Sequence, residues 1–322
     1  MEKKSLKRPF QKNVLNHCYQ RTAGGGLLFY SQLDYLVWFT NVCVSAKRHN
    51  VRIIALCPMP DHIHYSVEAV SLKELSAFIR ESSSVFAREQ NELCGRSGPL
   101  FESRFGSAPK STDKKIRTNL IYVWNNPVER KLALKAEDYR WNFLAYAQST
   151  HPFSEKLVIG KSRWVVQKAV KEIKASFMAG RHLPYAMLKR LFAPLTLDEK
   201  QQLTDYIIST YNVIDYKAAI KYFGNYQNVL TAVHSTTGSE YDIKETSVGK
   251  SDKHYAAMAS IVMHELAPQD IHDILSLSTE EKYEVFQVIR RFSYAMSDQI
   301  AKFLHLPMKK GPIDFSEPVE WK

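Results

Sequence analysis

Residues 57–64 of this 322-residue chain read CPMPDHIH, and this stretch decides how the first half of the sequence is interpreted. The short apolar run that leads into it, 51–57, has the character of a strand and is interrupted by two prolines. Apolar and polar residues then alternate from His62 to Val67, as in a half-buried strand. Because residues two apart on a strand point to the same face, His62 and His64 are predicted to converge and could hold a metal ion.

Strand-like and helix-like segments alternate on both sides of this stretch. The expected elements are a strand at 14–21, a helix opened by Ser31 and Asp34, a helix from Ser71 to about Leu93, a strand at 100–110, and a helix that starts at Thr112 and is limited by Pro127. The order strand, helix, strand, strand, helix, strand, helix predicts an α+β domain of ferredoxin-like type.

The second half of the sequence reads as mostly helical. A stretch rich in Ser, Thr and Gly, 234–250, separates a last block that starts near Ser251. We therefore divide the chain into a domain at 1–150, a helical connecting region at 151–250 and a helical accessory block at 251–322.

Within that last block, 268–277 and 279–295 are predicted helices, and 297–307 resembles the opening helix of a helix-turn-helix. Prolines and a KKGP run at 309–312 follow where a recognition helix is expected. Two interpretations stay open, an accessory DNA-binding unit with a different geometry and a plain helical bundle.

Composition excludes several classes of protein. Apolar residues make up 45% and charged residues 24%, which is typical of a soluble globular chain. No apolar stretch reaches the ~18–20 residues of a membrane span, and no apolar segment follows the basic start as in a secretory signal. The four widely spaced cysteines, Cys18, Cys43, Cys57 and Cys94, are expected to be reduced thiols in a cytoplasm.

Positive charge is concentrated in the first half. Residues 1–150 hold 22 basic and 13 acidic residues, a net +9, whereas the remainder is close to neutral at +2. A basic domain beside a near-neutral region favours a polyanionic partner, although solubility alone also accounts for such an excess.

Tyr122 and Asn126 are the next candidates, because four residues apart on a helix they share a face. A tyrosine hydroxyl is a poor nucleophile at neutral pH, but it can attack a phosphate held by a divalent cation. Asn126 could add an oxygen ligand beside the histidines. A core tyrosine and a helix-ending asparagine are the alternative. Basic residues that could neutralise phosphates surround this helix: Arg104, Lys110, Lys114, Lys115 and Arg117.

Four segments in this order resemble the REP-associated branch of the HUH single-tyrosine transposases. CPMPDHIH resembles the signature of two histidines that flank a hydrophobic residue. IYVWNNPV (121–128) is similar to the tyrosine-helix signature, in which Asn-Pro follows four residues after the tyrosine. PLFESRF (99–105) resembles the strand before that helix, and EDYRWNFLAY (137–146) resembles the closing segment. Together they cover about residues 12–148.

The resemblance implies an enzyme that nicks and joins single-stranded or hairpin DNA. Matched residue by residue, His62, His64 and Asn126 are the metal ligands and Tyr122 is the nucleophile. The metal is Mg²⁺ or Mn²⁺, although imidazole ordinarily prefers softer ions. The reaction leaves a 5′-phosphotyrosine and a free 3′-hydroxyl. A monomer or homodimer in the bacterial cytoplasm, associated with the nucleoid, is implied, and residues 149–322 are additional to the family domain.

Two other functions compete with this hypothesis. A noncatalytic DNA-binding protein could keep the fold without cleaving DNA. A hydrolase could hold zinc on His62 and His64, but it lacks an obvious acidic ligand, since Asp61 is expected to point to the other strand face.

Overall fold

The fold is built on a four-stranded antiparallel sheet, seen in a computed structural model that describes residues 9–102, 104–235 and 251–307. The strands are β1 (Leu15–Arg21), β2 (Arg52–Met59), β3 (His62–Glu68) and β4 (Gly106–Lys110), in the order β2-β3-β1-β4. Helix α1 (Gln32–Arg48) connects β1 to β2, and helix α2 (Leu72–Leu93) connects β3 to β4. This is the predicted ferredoxin-like α+β arrangement.

Both connecting helices begin at the predicted capping residues. Ser31 and Asp34 form a capping box at the start of α1, and the Ser71 hydroxyl accepts a hydrogen bond from the Glu74 amide at the start of α2. The apolar faces of the two helices pack with β3 into the largest buried cluster.

The turn between β2 and β3 leads directly into His62 and His64. Met59 pairs with His62, so Pro60 and Asp61 form a two-residue turn. The strand predicted at 51–57 was expected to end before Pro58. This prediction is wrong, since β2 continues to Met59. β2 lies at the edge of the sheet. An edge strand tolerates proline where the missing N–H would face away from the neighbouring strand.

The last strand is much shorter than the predicted 100–110. Only Gly106–Lys110 pairs with β1, while Phe101 makes an isolated bridge to Thr22. The alternation of charged and apolar residues from 100 to 105 therefore predicted a strand that the described residues there do not form. A Cβ on Gly106 would lie 2.1–2.5 Å from ring atoms of Tyr19, so glycine allows that ring to cross the strand.

Helix α3 (Asp113–Glu129) packs against β2, β3 and β4. Its first turn is capped by the Thr112 hydroxyl, which accepts from the Lys115 amide. The prediction that Pro127 limits the helix is wrong by two residues. Pro127 lies inside the last turn, and the lost amide hydrogen bond does not end the helix there.

The region that follows is helical, as predicted. Its helices are α4 (Trp164–Met178), α5 (Tyr185–Phe192), α6 (Leu197–Tyr211), α7 (Tyr216–Lys221) and α8 (Tyr226–Ser235). Helices α4, α5 and α6 join the same buried cluster as α1 and α2, and α8 packs on α3. The boundary at residue 150 remains a prediction.

Residues 251–307, called the C-terminal block below, hold the last described helices. These are α9 (His254–Glu265), α10 (Asp273–Ser276), α11 (Thr279–Phe292) and α12 (Ser297–Phe303). The helix predicted at 268–277 is thus one turn long. The block has its own apolar cluster, which also takes in Leu27 and Cys94. The KKGP run, where a recognition helix was considered, lies outside the described residues.

All four cysteines are buried, and none of them forms a disulfide bond within the described ranges. Among the helices of the described ranges, none combines the length and the apolar character needed to cross a membrane.

Candidate active site

Strand β3 places His62 and His64 side by side, both buried. Their ring centroids are 4.8 Å apart and the ring planes are nearly perpendicular, at 88°. The shared face follows from the two-residue repeat of a strand.

Helix α3 brings Tyr122 and Asn126 to the same place. The side-chain nitrogen of Asn126 lies 3.2 Å from Nε2 of His64. The rings of Tyr122 and His64 are nearly perpendicular, at 80°, with 5.3 Å between their centroids. The structure thus gathers the predicted ligands and the predicted nucleophile, although Tyr122 is only 3% exposed.

A third histidine, His17 on β1, completes the cluster and was not found from the sequence. Its Nε2 lies 3.0 Å from Nδ1 of His64, and its ring is tilted at 71° to that of Tyr122, with 5.7 Å between the centroids. Burial, and after it the charges of Lys110 and His62, lower the pKa of His17 to about 3. Burial, with the charges of His62 and His17, also places the pKa of His64 well below its usual range. Both rings are therefore neutral, the form that binds metals.

Asp61 does not point away from the histidines, as expected from strand alternation. It lies in the β2–β3 turn, where alternation does not apply, and its Oδ1 accepts a hydrogen bond from Nδ1 of His62 at 2.5 Å. Burial alone would raise the pKa of Asp61. The charge and hydrogen bond of His62, and the charges of Lys302 and Arg130, hold it well below its usual range.

The donor set fits a divalent ion. Two ligand atoms that each lie about 2.1 Å from one metal ion, at right angles to each other, are about 3 Å apart. The side-chain nitrogen of Asn126 and Nε2 of His64 have a similar separation, 3.2 Å. The Asn126 oxygen is buried and has no hydrogen-bond partner among the described residues. Exchanging the amide oxygen and nitrogen by a half-turn would put that oxygen in the ligand position.

Acidic ligands do not contribute to this set. Within residues 9–102, 104–235 and 251–307, no group of three or more His, Cys, Asp or Glu side chains is arranged to hold a metal. Asp61 bonds to Nδ1 of His62, on the opposite side of the ring from Nε2. A site here would depend on two imidazoles and an amide oxygen.

The predicted DNA-binding residues differ in their exposure to solvent. Lys110, at the end of β4, is buried and close enough to His17 to affect its pKa. The others are exposed, in the bend before β4 or on the first turns of α3: Arg104, Lys114, Lys115 and Arg117. Arg21, which the sequence did not single out, is exposed and pairs with His62 across the sheet.

Fold and site together define a ferredoxin-like α+β domain with a buried cluster of histidines, tyrosine and asparagine. No described family and no curated protein matches the sequence. The chain is similar to a solved structure described as a REP-associated tyrosine transposase bound to a REP hairpin. The two share 18% identity with a TM-score of 0.36, over 42% of this chain and 80% of the other. Similarity at this level says nothing about what this chain does.

Proposed function

We propose that this chain is a metal-dependent enzyme that nicks and rejoins single-stranded DNA through a 5′-phosphotyrosine on Tyr122. The observation that carries the proposal is the 3.2 Å approach of the Asn126 amide to His64, with Tyr122 on the same helix face. This arrangement supplies ligands and nucleophile from two elements that pack directly together.

Each side chain has a distinct role in this mechanism. His62, His64 and Asn126 would hold Mg²⁺ or Mn²⁺, which would supply polarisation of the scissile phosphate. The Tyr122 oxygen forms a bond to phosphorus as the bond from phosphorus to the 3′ oxygen breaks. The hydroxyl proton of Tyr122 is lost, and the departing 3′ oxygen gains a proton to become a free 3′-hydroxyl. The phosphotyrosine conserves the bond energy for rejoining, without ATP.

DNA is the proposed partner because the positive charge lies with the site. The net +9 of residues 1–150 includes exposed Arg21, Lys114, Lys115 and Arg117, and these could neutralise phosphates. We place this activity on hairpin or repeat DNA in the bacterial cytoplasm, at the nucleoid, with the protein as a monomer or homodimer.

The C-terminal block offers a second kind of contact, at the end of α11 and in the loop that leads to α12. Tyr294 is 99% exposed and Phe292 is 51% exposed, with the Arg291 guanidinium 5.5 Å from the Phe292 ring centre. Exposed aromatic rings beside arginine are typical of surfaces on which unpaired bases stack. This aromatic segment, residues 290–296, would help hold a single strand.

A noncatalytic DNA-binding protein is the second candidate, and the burial of Tyr122 favours it. A tyrosine that is 3% exposed can attack a phosphate only after its surroundings move to admit DNA. In this alternative the histidine cluster is part of the core, and only the basic and aromatic surface acts.

A nicking assay on labelled hairpin DNA separates the two candidates. The full chain with Mn²⁺ should cut the DNA and form a covalent adduct, and Tyr122→Phe should abolish both while still binding. Tyr139→Phe is the control, because its hydroxyl is engaged with the Pro58 carbonyl at 3.0 Å. An adduct in Tyr122→Phe would refute the assigned nucleophile. Absence of cleavage by the wild type would favour the noncatalytic alternative.

A further inference from the structure

The C-terminal block reaches the proposed metal site through one lysine. Lys302 of α12 forms an ion pair with Oδ2 of Asp61, while Oδ1 of the same carboxylate accepts the hydrogen bond from Nδ1 of His62. Lys302, Asp61 and His62 therefore form a continuous chain of contacts from the last described helix to a proposed ligand.

A second contact joins the same block to the helix that carries Tyr122. The backbone amide of Asp252 donates to the carbonyl of Arg130, the residue that ends α3, at 2.9 Å. The Asp252 carboxylate lies 3.6 Å from Nε of Arg130, and a terminal nitrogen of Arg130 lies 3.8 Å from Asp61. The block thus contacts both elements that build the site, the β2–β3 turn and the end of α3.

These charges are mostly removed from water. The side chains of Asp61, Arg130 and Asp252 are 11%, 10% and 3% exposed. Buried ion pairs contribute little to stability compared with apolar packing of similar volume, because desolvation offsets their attraction. The block is already docked by its apolar cluster around Leu27 and Cys94. The block also contacts the rest of the chain through apolar packing, so the ion pair between Lys302 and Asp61 is not its only attachment.

The geometry sets the position of a proton. A carboxylate on Nδ1 accepts the N–H of that nitrogen, so in the neutral ring, the form that binds metals, the lone pair of His62 lies on Nε2. Metal-binding histidines are commonly oriented in this way by an outer carboxylate. Lys302 and Arg130 both contact Oδ2 of Asp61, which leaves Oδ1 facing Nδ1 of His62.

We propose that the C-terminal block positions His62 for metal binding, with Asp61 and Lys302 as positioning residues. That His62 is a metal ligand rests on the proposed function. The position of the proton on its ring does not. The separate region of the chain would then set the metal affinity of the nuclease-like domain without supplying a ligand.

The test uses the full chain and Mn²⁺ alone, without DNA. Nitrogen chemical shifts of ¹⁵N-histidine protein, assigned with His62→Gln, should show the proton on Nδ1 of His62. Lys302→Met should mix the two tautomers and weaken Mn²⁺ binding about tenfold, the low end of outer-shell effects. Lys302→Arg should restore both. Lys253→Met removes one exposed charge from the same block and should change neither.

Three outcomes would overturn the proposal. One is a proton on Nε2 rather than Nδ1 of His62 in the wild type. Another is Mn²⁺ affinity in folded Lys302→Met equal to that of the wild type. A third is an equal loss of affinity in Lys253→Met, which would assign the effect to net charge. Failure of the wild type to cut DNA bears on the proposed function alone, because the tautomer is measured without DNA or metal.

Discussion

The imidazole of His17 stacks on that of His64 across two neighbouring strands, with 5.2 Å between the ring centroids and 3.0 Å between Nε2 and Nδ1. Since both rings are neutral, one of these nitrogens donates and the other accepts. If Nδ1 of His64 donates, its Nε2 keeps the lone pair that faces Asn126.

We expect His17→Phe to weaken Mn²⁺ binding about tenfold, because the ring remains but the acceptor for His64 is lost. Calorimetric titration with Mn²⁺ measures this. His17→Gln keeps an oxygen acceptor and should recover part of the affinity. Unchanged binding in His17→Phe would show that His17 only fills the core.

Asn126→Ala should reduce Mn²⁺ affinity by at least the ~10–100-fold typical of a lost outer-shell partner, because an amide ligand is removed. Asn126→Asp retains an oxygen at that position and should bind Mn²⁺. The neighbouring Asn125, also buried, provides the matched control Asn125→Ala. Equal losses in Asn125→Ala and Asn126→Ala would point to damage to α3 rather than to a ligand.

Tyr294→Ala should weaken binding of single-stranded DNA by about 1–3 kcal/mol, the usual effect of removing one stacking ring. Duplex binding should be unaffected, because paired bases offer no free face. Fluorescence anisotropy with both DNAs measures the difference. Trp164→Ala removes another exposed ring, from α4, and should have no effect. A uniform effect on both DNAs would contradict stacking.

The docking of the C-terminal block should weaken at alkaline pH. Burial disfavours the charged form of His272, but Asp34 and Asp270, at 2.8 and 2.5 Å, raise its pKa to about 10. With an unfolded pKa near 6.5, the stabilisation is complete below pH 6.5 and is lost as pH rises through 10.

Denaturation of the wild type and His272→Gln from pH 6 to 10.5 tests this relationship. We expect a difference of about 3–5 kcal/mol at pH 6, as for a broken buried pair, shrinking towards pH 10. His264→Gln, at an exposed position, is the control. A difference that does not depend on pH would show that His272 is not charged.

Sequence patterns predicted the local elements well, because capping residues and periodicity act over a few positions. Ser31, Ser71 and Thr112 all cap the expected helices. The same alternation rule that aligned His62 with His64 misplaced Asp61, since a turn has no alternating faces. His17 was missed because its approach to His64 depends on which strands pair. The approach of Lys302 depends on tertiary packing, which no local pattern encodes.

The ion pair between Asp61 and Lys302 joins residues 241 positions apart in the chain. At a synthesis rate of about 5–20 residues per second, the ribosome incorporates Lys302 roughly 10–50 s after Asp61. The nascent chain thus carries both histidines and Tyr122 long before α12 exists to hold Asp61. A protein built this way would acquire its tightest metal binding only after α12 has been synthesised and has packed against the β2–β3 turn.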